Sequence, residues 1–240
     1  MHNCAICSAT DVEFLARKDS YSFVRCKHCG FIFLDPMPDQ GELNTQYMDL
    51  HKEAEPTYNK AGSRLRRAII KLPRFYPYAK GRDALDLGCG GGFVTYALGL
   101  VARSATGVDI SANAVSYARS RFKRPRFICC SFTELLGPDK QYGFIHSSEV
   151  IEHVSDVNLY MRMLARLATP DAHVYITTPD SGHPQVPADI TQWDVCKPPI
   201  HVQFFNRRAA TVLFEKYGFR IIKFYKNKKP GLVFLARKIA

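Results

Sequence analysis

Long apolar runs are missing from this 240-residue sequence. None approaches the roughly 20 residues that a helix needs to cross a bilayer, so membrane insertion by that route is excluded. The opening MHNCAICSAT has no basic stretch followed by an apolar core, and no export signal is read there. Internal repeats and low-complexity tracts are also absent, which excludes repeat architectures. Acidic residues are scarce, 22 against 33 Lys plus Arg, giving a formal charge of +11. That balance suits a nucleic-acid partner, a membrane surface or simple solubility, and does not choose among them. Eight cysteines without an export signal point to the reducing cytoplasm. Thiols there serve as metal ligands or core residues rather than disulfides.

What is present divides the chain three ways. Residues 1–38 are Cys-rich with short apolar alternations. Residues 39–82 form a polar, basic connector expected to be helical and to act as a cap. Its segment YNKAGSRLRRAIIKL reads as an amphipathic helix, with Leu65, Ala68, Ile69 and Leu72 at helical spacing and Pro73 and Pro77 expected to break it. From 83 to 240, apolar strands such as ALDLG, ATGVDI, RFICC, GFIHSSE and HVYITTP alternate with helical patterns. Such alternation implies an α/β domain with a parallel sheet covered on both faces. The last two strands, RIIKFYK and GLVFLARK, have only a short link and should pair as an antiparallel hairpin. Leu159, Met163, Leu164 and Leu167 mark the core face of one helix, and Gly218 the stop of another.

Two C-x-x-C pairs, Cys4/Cys7 and Cys26/Cys29, stand at ribbon spacing. Each pair can face one ion, and four thiolates complete a closed tetrahedral zinc site of structural rather than catalytic type. Gly30 suits the tight turn after Cys29. His2 and His28 are substitute ligand candidates. Cys89, Cys129, Cys130 and Cys196 read as ordinary buried thiols.

The stretch DALDLGCGGGFVTYAL crowds small residues between a strand and a helix. Bare backbone and free N–H groups at that junction make a ligand cradle. The pattern is Asp86-x-Gly88-x-Gly90-x-Gly92, with Phe93 where a dinucleotide fingerprint needs a small residue. An acid before the turn suits a cationic ligand better than a pyrophosphate. Further on, Asp109 ends the second strand and Ser111 reads as the N-cap of the next helix. With these residues the chain resembles the class I S-adenosylmethionine-dependent methyltransferases over about residues 83–240. The resemblance implies a Rossmann-like, seven-stranded, mostly parallel sheet with an antiparallel C-terminal hairpin. It implies cofactor contacts from Asp86, Gly88, Cys89, Gly90 and Gly92, with Asp109 on the ribose hydroxyls beside Ile110. Ser131 and Phe132 would meet the adenine, and Ser148 would also contact the cofactor. Ser131 and Gly143 occupy places where the family often carries acids. CKHCGFIFLDPMP is similar to the N-terminal zinc ribbon of some bacterial methyltransferases acting on sugars and other small metabolites.

HSSEVIEHVSDV places Glu149, Glu152 and His153 after the fourth strand of the domain. In an open parallel sheet, ligands gather at the strands' carboxyl ends. If Ser148 or Glu149 opens a helical turn, Glu149, Glu152 and His153 share one face. They could then bind a hard or borderline divalent ion that activates a substrate hydroxyl. Alternatively His153 serves directly as a general base, or Glu149 touches cofactor while His153 merely orders the loop. The stretch is similar to the Glu-x-x-Glu-His group of ubiquinone-biosynthesis O-methyltransferases, which implies magnesium. It also resembles the small-RNA 3′-terminal 2′-O-methyltransferases, which implies His201 as a fourth ligand. His201 lies in an aromatic, Pro-rich insertion expected to cap the pocket.

The expected protein is therefore a cytoplasmic enzyme that methylates a hydroxyl of a small-molecule acceptor, a sugar or a phenol. One alternative is RNA ribose methylation. Another is a non-catalytic domain whose ribbon binds a partner protein. The sequence assigns no oligomeric state.

Overall fold

The computed structural model describes residues 3–50, 60–131, 134–135 and 140–239. The N-terminal part builds three antiparallel strands, β1 (Val12–Lys18), β2 (Tyr21–Cys26) and β3 (Ile32–Leu34). Helices α1 (Gln40–Leu50) and α2 (Ala61–Ala79) follow. The larger part runs β4 (Asp83–Leu87), α3 (Phe93–Gly99), β5 (Ser104–Asp109), α4 (Ala112–Arg121), β6 (Arg126–Cys129) and β7 (Tyr142–Ser148). It continues with a 3-10 turn at Ile151–His153, α5 (Val157–Leu167), β8 (Ala168–Pro179) and β9 (Gln203–Phe204). Helix α6 (Arg207–Lys216), β10 (Phe219–Tyr225) and β11 (Gly231–Lys238) close it.

Seven of these strands form one sheet in the order β10-β11-β8-β7-β4-β5-β6. Strands β4 to β8 pair in parallel, while β11 runs antiparallel to both β8 and β10. The α/β sheet and C-terminal hairpin expected from the sequence are therefore present. Central β4 is buried from Ala84 through Leu87, as a strand covered on both faces must be. The helices start where capping side chains stand. Ser111 accepts from Ala114 N at 3.2 Å, Asp156 from Leu159 N at 2.8 Å and Asn206 from Ala209 N at 2.8 Å. Gly218, at φ +77°, follows the end of α6 in the left-handed conformation that stops a helix. Chain order reverses at β4, since β5 and β6 lie on one side and β7 and β8 on the other. That reversal opens a crevice at the strands' carboxyl ends.

Two features depart from the expectation. Helix α2 runs through Pro73 and Pro77 instead of breaking there. Both prolines are exposed, so water can satisfy the carbonyls they leave without a donor. Meanwhile Phe75, fully buried on the opposite face, packs against Phe144, His146 and Tyr175 at centroid distances of 5.8, 5.4 and 5.0 Å. The N-terminal sheet is also not limited to the N-terminal residues. Strand β9 joins it as a fourth strand, Ile32 opposite Phe204 and Phe33 opposite Gln203. Cys26, Phe31 and Phe33 accordingly share one core with Phe205, Ala209 and Leu213.

Candidate active site

The crevice encloses about 760 Å³, its open mouth included. Gly88, Asp109 and Ile110 come from the turns after β4 and β5, and Glu149, Val150 and His153 from the segment after β7. Gln40, Leu43 and Asn44 of α1 also line it. Gln40 Oε1 accepts from Ser155 N at 2.7 Å and its amide reaches Asn44 at 3.0 Å, which fixes α1 over the opening.

The glycine turn is left-handed at Gly88, Gly90 and Gly92, with φ of +70°, +49° and +78°. Its members differ in what surrounds them. A Cβ on Gly92 would stand 2.7 Å from the Phe127 ring and 2.8 Å from Ala118, so that glycine is required by packing. A Cβ on Gly90 would meet nothing within 4 Å, so its bare backbone faces open space. Asp109 grips this turn. It is 5% exposed, accepts from Gly90 N at 2.8 Å and Ser111 N at 2.9 Å, and lines the crevice.

Asp86 takes a different place. It is 2% exposed, bonded to Thr95 Oγ1 at 2.6 Å and His146 Nδ1 at 2.7 Å, and it does not line the crevice. Both of its oxygens hold β4, α3 and β7 together. Ser131 exchanges bonds with Glu134, while its neighbour Cys130 lines the cavity. Cys89 is half-buried, its thiol pushed up by burial. Ser148 bonds Thr177 at 2.5 Å. Phe132 and His2 lie outside the described residues.

After β7 the chain forms a short 3-10 turn over Ile151–His153 rather than a helix opening at 148 or 149, and this rearranges the acid–histidine group. Glu149 stands outside the turn, exposed at the rim, with φ +56° and Oε1 accepting from Thr177 at 2.9 Å. A side chain held in the left-handed region stores strain, a feature that clusters at functional sites. Glu152 is fully buried; Oε2 accepts from Thr178 at 2.9 Å, whereas Oε1 has no hydrogen-bond partner. Burial, then the charge of Glu149, raises its carboxyl well above the ordinary value. His153 Nδ1 donates to the Ile200 carbonyl at 2.7 Å and His201 Nδ1 donates to that of Val195. These bonds leave Nε2 as the coordinating nitrogen of each ring. His153 Nε2 lies 4.0 Å from Glu152 Oε1, and the ring centroids are 4.7 Å apart. Burial lowers the His201 pKa and favours its neutral form. Glu152, His153 and His201 thus each offer a ligand atom within 4.8 Å of the others, while Glu149 is not in that set.

The four N-terminal cysteines also converge, with Sγ atoms 3.7 Å apart for Cys4–Cys29 and 3.5 Å for Cys7–Cys26. Four sulfurs bound to one zinc ion stand about 3.8 Å apart, whereas a disulfide would need about 2 Å. His28 is exposed and outside the cluster.

Sequence reasoning missed Gln40, Leu43, Asn44, Val150 and Ile200 as crevice residues, although the connector's role as a cap pointed toward the first three.

A switch-point crevice lined by a glycine turn and a buried carboxylate is where an open α/β sheet takes its ligand. Comparison with known proteins makes this specific: the profile described as methyltransferase domain matches residues 49–223, and the chain belongs to that family. A probable S-adenosylmethionine-dependent methyltransferase of Mycobacterium tuberculosis, Rv3030, is 31% identical over 115 residues, 48% of this chain and 42% of that protein. The mitochondrial ubiquinone biosynthesis O-methyltransferase of Rattus norvegicus is 30% identical over 106 residues, 41% of this chain and 31% of that protein. The matched region thus spans less than half the length of these curated relatives. Among solved structures, the 1,6-didemethyltoxoflavin-N1-methyltransferase of Burkholderia thailandensis, with bound S-adenosylhomocysteine, has a TM-score of 0.63. It is 17% identical, and the match covers 95% of this chain and all of that one. No helix among the described residues is long and apolar enough to cross a membrane.

Proposed function

We propose that this protein is a cytoplasmic S-adenosylmethionine-dependent O-methyltransferase acting on a hydroxyl of a small metabolite, with zinc held by Cys4, Cys7, Cys26 and Cys29. The observation that carries the cofactor is that Gly88 of the left-handed turn and the buried carboxylate of Asp109, which holds Gly90 N at 2.8 Å, line one crevice. Asp109 would accept the ribose hydroxyls, Gly88 and Gly90 would leave room for the nucleoside, and Cys130 and Ile110 would flank it. Helix α1, through Leu43, Gln40 and Asn44, would exclude water from the reacting centre. The crevice, narrowed by α1, favours a small acceptor over an RNA chain.

The reaction is a single in-line displacement. A C–O bond forms as the S–C bond breaks, and the hydroxyl proton leaves to a base. Glu149 stands at the rim and would take that proton, its carboxylate aimed by Thr177. Glu152, His153 and His201 would hold a divalent ion, which supplies Lewis-acid lowering of the acceptor hydroxyl's pKa. The fit rests on the buried, unpartnered Oε1 of Glu152 and on two imidazoles whose Nδ1 atoms are fixed to backbone carbonyls. Two nitrogens and one oxygen favour manganese, iron or cobalt over magnesium, which prefers oxygen ligands.

Calorimetric titration with S-adenosylmethionine tests the reading. The wild type should bind, and Asp109→Ala should bind at least about 100-fold more weakly, since two hydrogen bonds to a carboxylate are lost. Absence of binding heat for the folded wild type would refute it. Labelled cofactor incubated with catechols, sugars and total RNA, with manganese or with chelator, then identifies the acceptor.

A further inference from the structure

Helix α2 presents an unusual outer face. Between Lys60 and Arg82 the chain has eight cations and no acid. Ala68, Phe75 and Ala79 face inward and are buried. On the opposite side, at i, i+3, i+4 and i+7 spacing, stand exposed Arg66, Ile69 and Ile70, followed by the exposed Pro73. Ile70 is 64% exposed, Ile69 36% and Tyr76 43%, so three large apolar groups of one helix project outward among the cations. Among the described residues nothing covers the two isoleucines, and Lys80 lies over the Tyr76 ring at 5.1 Å.

The face continues beyond the helix. Arg74 and Lys223 both lie over the Tyr225 ring, at 5.5 and 4.9 Å, joining α2 to the β10–β11 hairpin. The hairpin link adds exposed Lys226, Lys228 and Lys229. Among the described residues, no carboxylate forms an ion pair with a cation of α2 or of this link.

We propose that this face docks the protein on an anionic lipid bilayer, α2 lying in the headgroup plane with Ile69, Ile70 and Tyr76 entering the acyl boundary. An outward mixture of cations with aliphatic and aromatic tips is what an interfacial helix requires. A phosphate backbone would use the cations but leave the isoleucines in water, so the face fits lipid better than RNA. The inference is independent of methyl transfer, because docking uses no residue of the crevice.

Sedimentation of the full chain with large unilamellar vesicles tests it. Vesicles of 70% phosphatidylcholine and 30% phosphatidylglycerol at about physiological salt should retain the protein. Pure phosphatidylcholine should not, and retention should fall as salt rises. Ile70→Glu, at an exposed position, should abolish retention with an unchanged melting temperature. Each of Arg66→Gln and Arg67→Gln should weaken binding about fivefold. Failure to bind the mixed vesicles overturns the proposal. So does binding that survives Ile70→Glu, or a charge-dependent gel shift with total RNA in place of vesicle binding.

Discussion

At the scale of single residues, two glycines of one turn answer to different forces. Gly92 is fixed by packing, because an added methyl would collide with Phe127 and Ala118. Gly90 has room for a methyl, and its N–H is held by Asp109, which lines the crevice. Both have positive φ, so alanine at either costs about 1 kcal/mol of backbone strain. Gly92→Ala should lose a further 1–3 kcal/mol to overpacking. Differential scanning calorimetry should thus show a clear melting drop for Gly92→Ala. Gly90→Ala should melt near wild type yet lose most cofactor binding. Glu152 offers a second test. Its folded pKa lies above the ordinary 4.5, so its contribution to stability is fully present below about that pH. The contribution disappears as pH rises through the folded value, once the buried carboxylate must ionise without a cation. Glu152→Gln removes that ionisation. In chelator, the variant should melt a few degrees above wild type at pH 8, a margin that shrinks toward pH 5, while its methyl transfer is abolished. An unchanged melting difference across that range would show that Oε1 carries no buried charge.

At the scale of elements, the acid–histidine turn is held from outside the main sheet. Gln203 in β9 donates its buried amide to Ile151 O at 2.6 Å and Val154 O at 3.0 Å, clamping both ends of the turn that carries Glu152 and His153. Val202 N bonds Glu152 O at 3.0 Å. Replacing Gln203 with alanine leaves two buried carbonyls without that donor, a loss of about 1–3 kcal/mol. Because Gln203 bonds the turn at Ile151 and Val154 rather than the cradle at residues 88–92, Gln203→Ala should lower kcat while the cofactor Kd stays unchanged. Calorimetry beside steady-state kinetics separates the two. None of this clamp was legible in the sequence. A two-residue strand has no periodicity to read, and Gln203 is about 50 residues from the carbonyls it serves. The main strands were legible because their apolar runs and bounding glycines are local signals, as with ALDLG and Ser111 after GVDI. Helix α2 was misread for the converse reason. The local rule for proline is real, but Phe75's burial between β7 and β8 outweighs two exposed breaks in the helix ladder.

At the scale of the whole molecule, β3–β9 pairing makes the cysteine cluster and the acid–histidine turn parts of one mechanical unit. From Cys29 the chain passes through Phe31 to β3. Leu34 N bonds Val202 O at 2.9 Å, and β9 then reaches Glu152 and Gln203. Gly30 lies against Asn206, the cap of α6, where an added Cβ would stand 2.3 Å from the side-chain amide. On the proposed zinc site, a segment this short depends on its ion to stay folded, since its own β1–β3 sheet has little apolar area. Stripping zinc with a mercurial reagent and a chelator should therefore do more than loosen residues 3–34. It should free β9 and disorder His201, with the turn at 151–153 following. The expected result is a lower melting temperature and a loss of methyl transfer larger than the loss of cofactor affinity, both restored by zinc but not by manganese. Cys26→Ser should reproduce the stripped state. If methyl transfer survives zinc removal at full rate, the ribbon is only a neighbour of the site, and β9 must be held by the main domain alone.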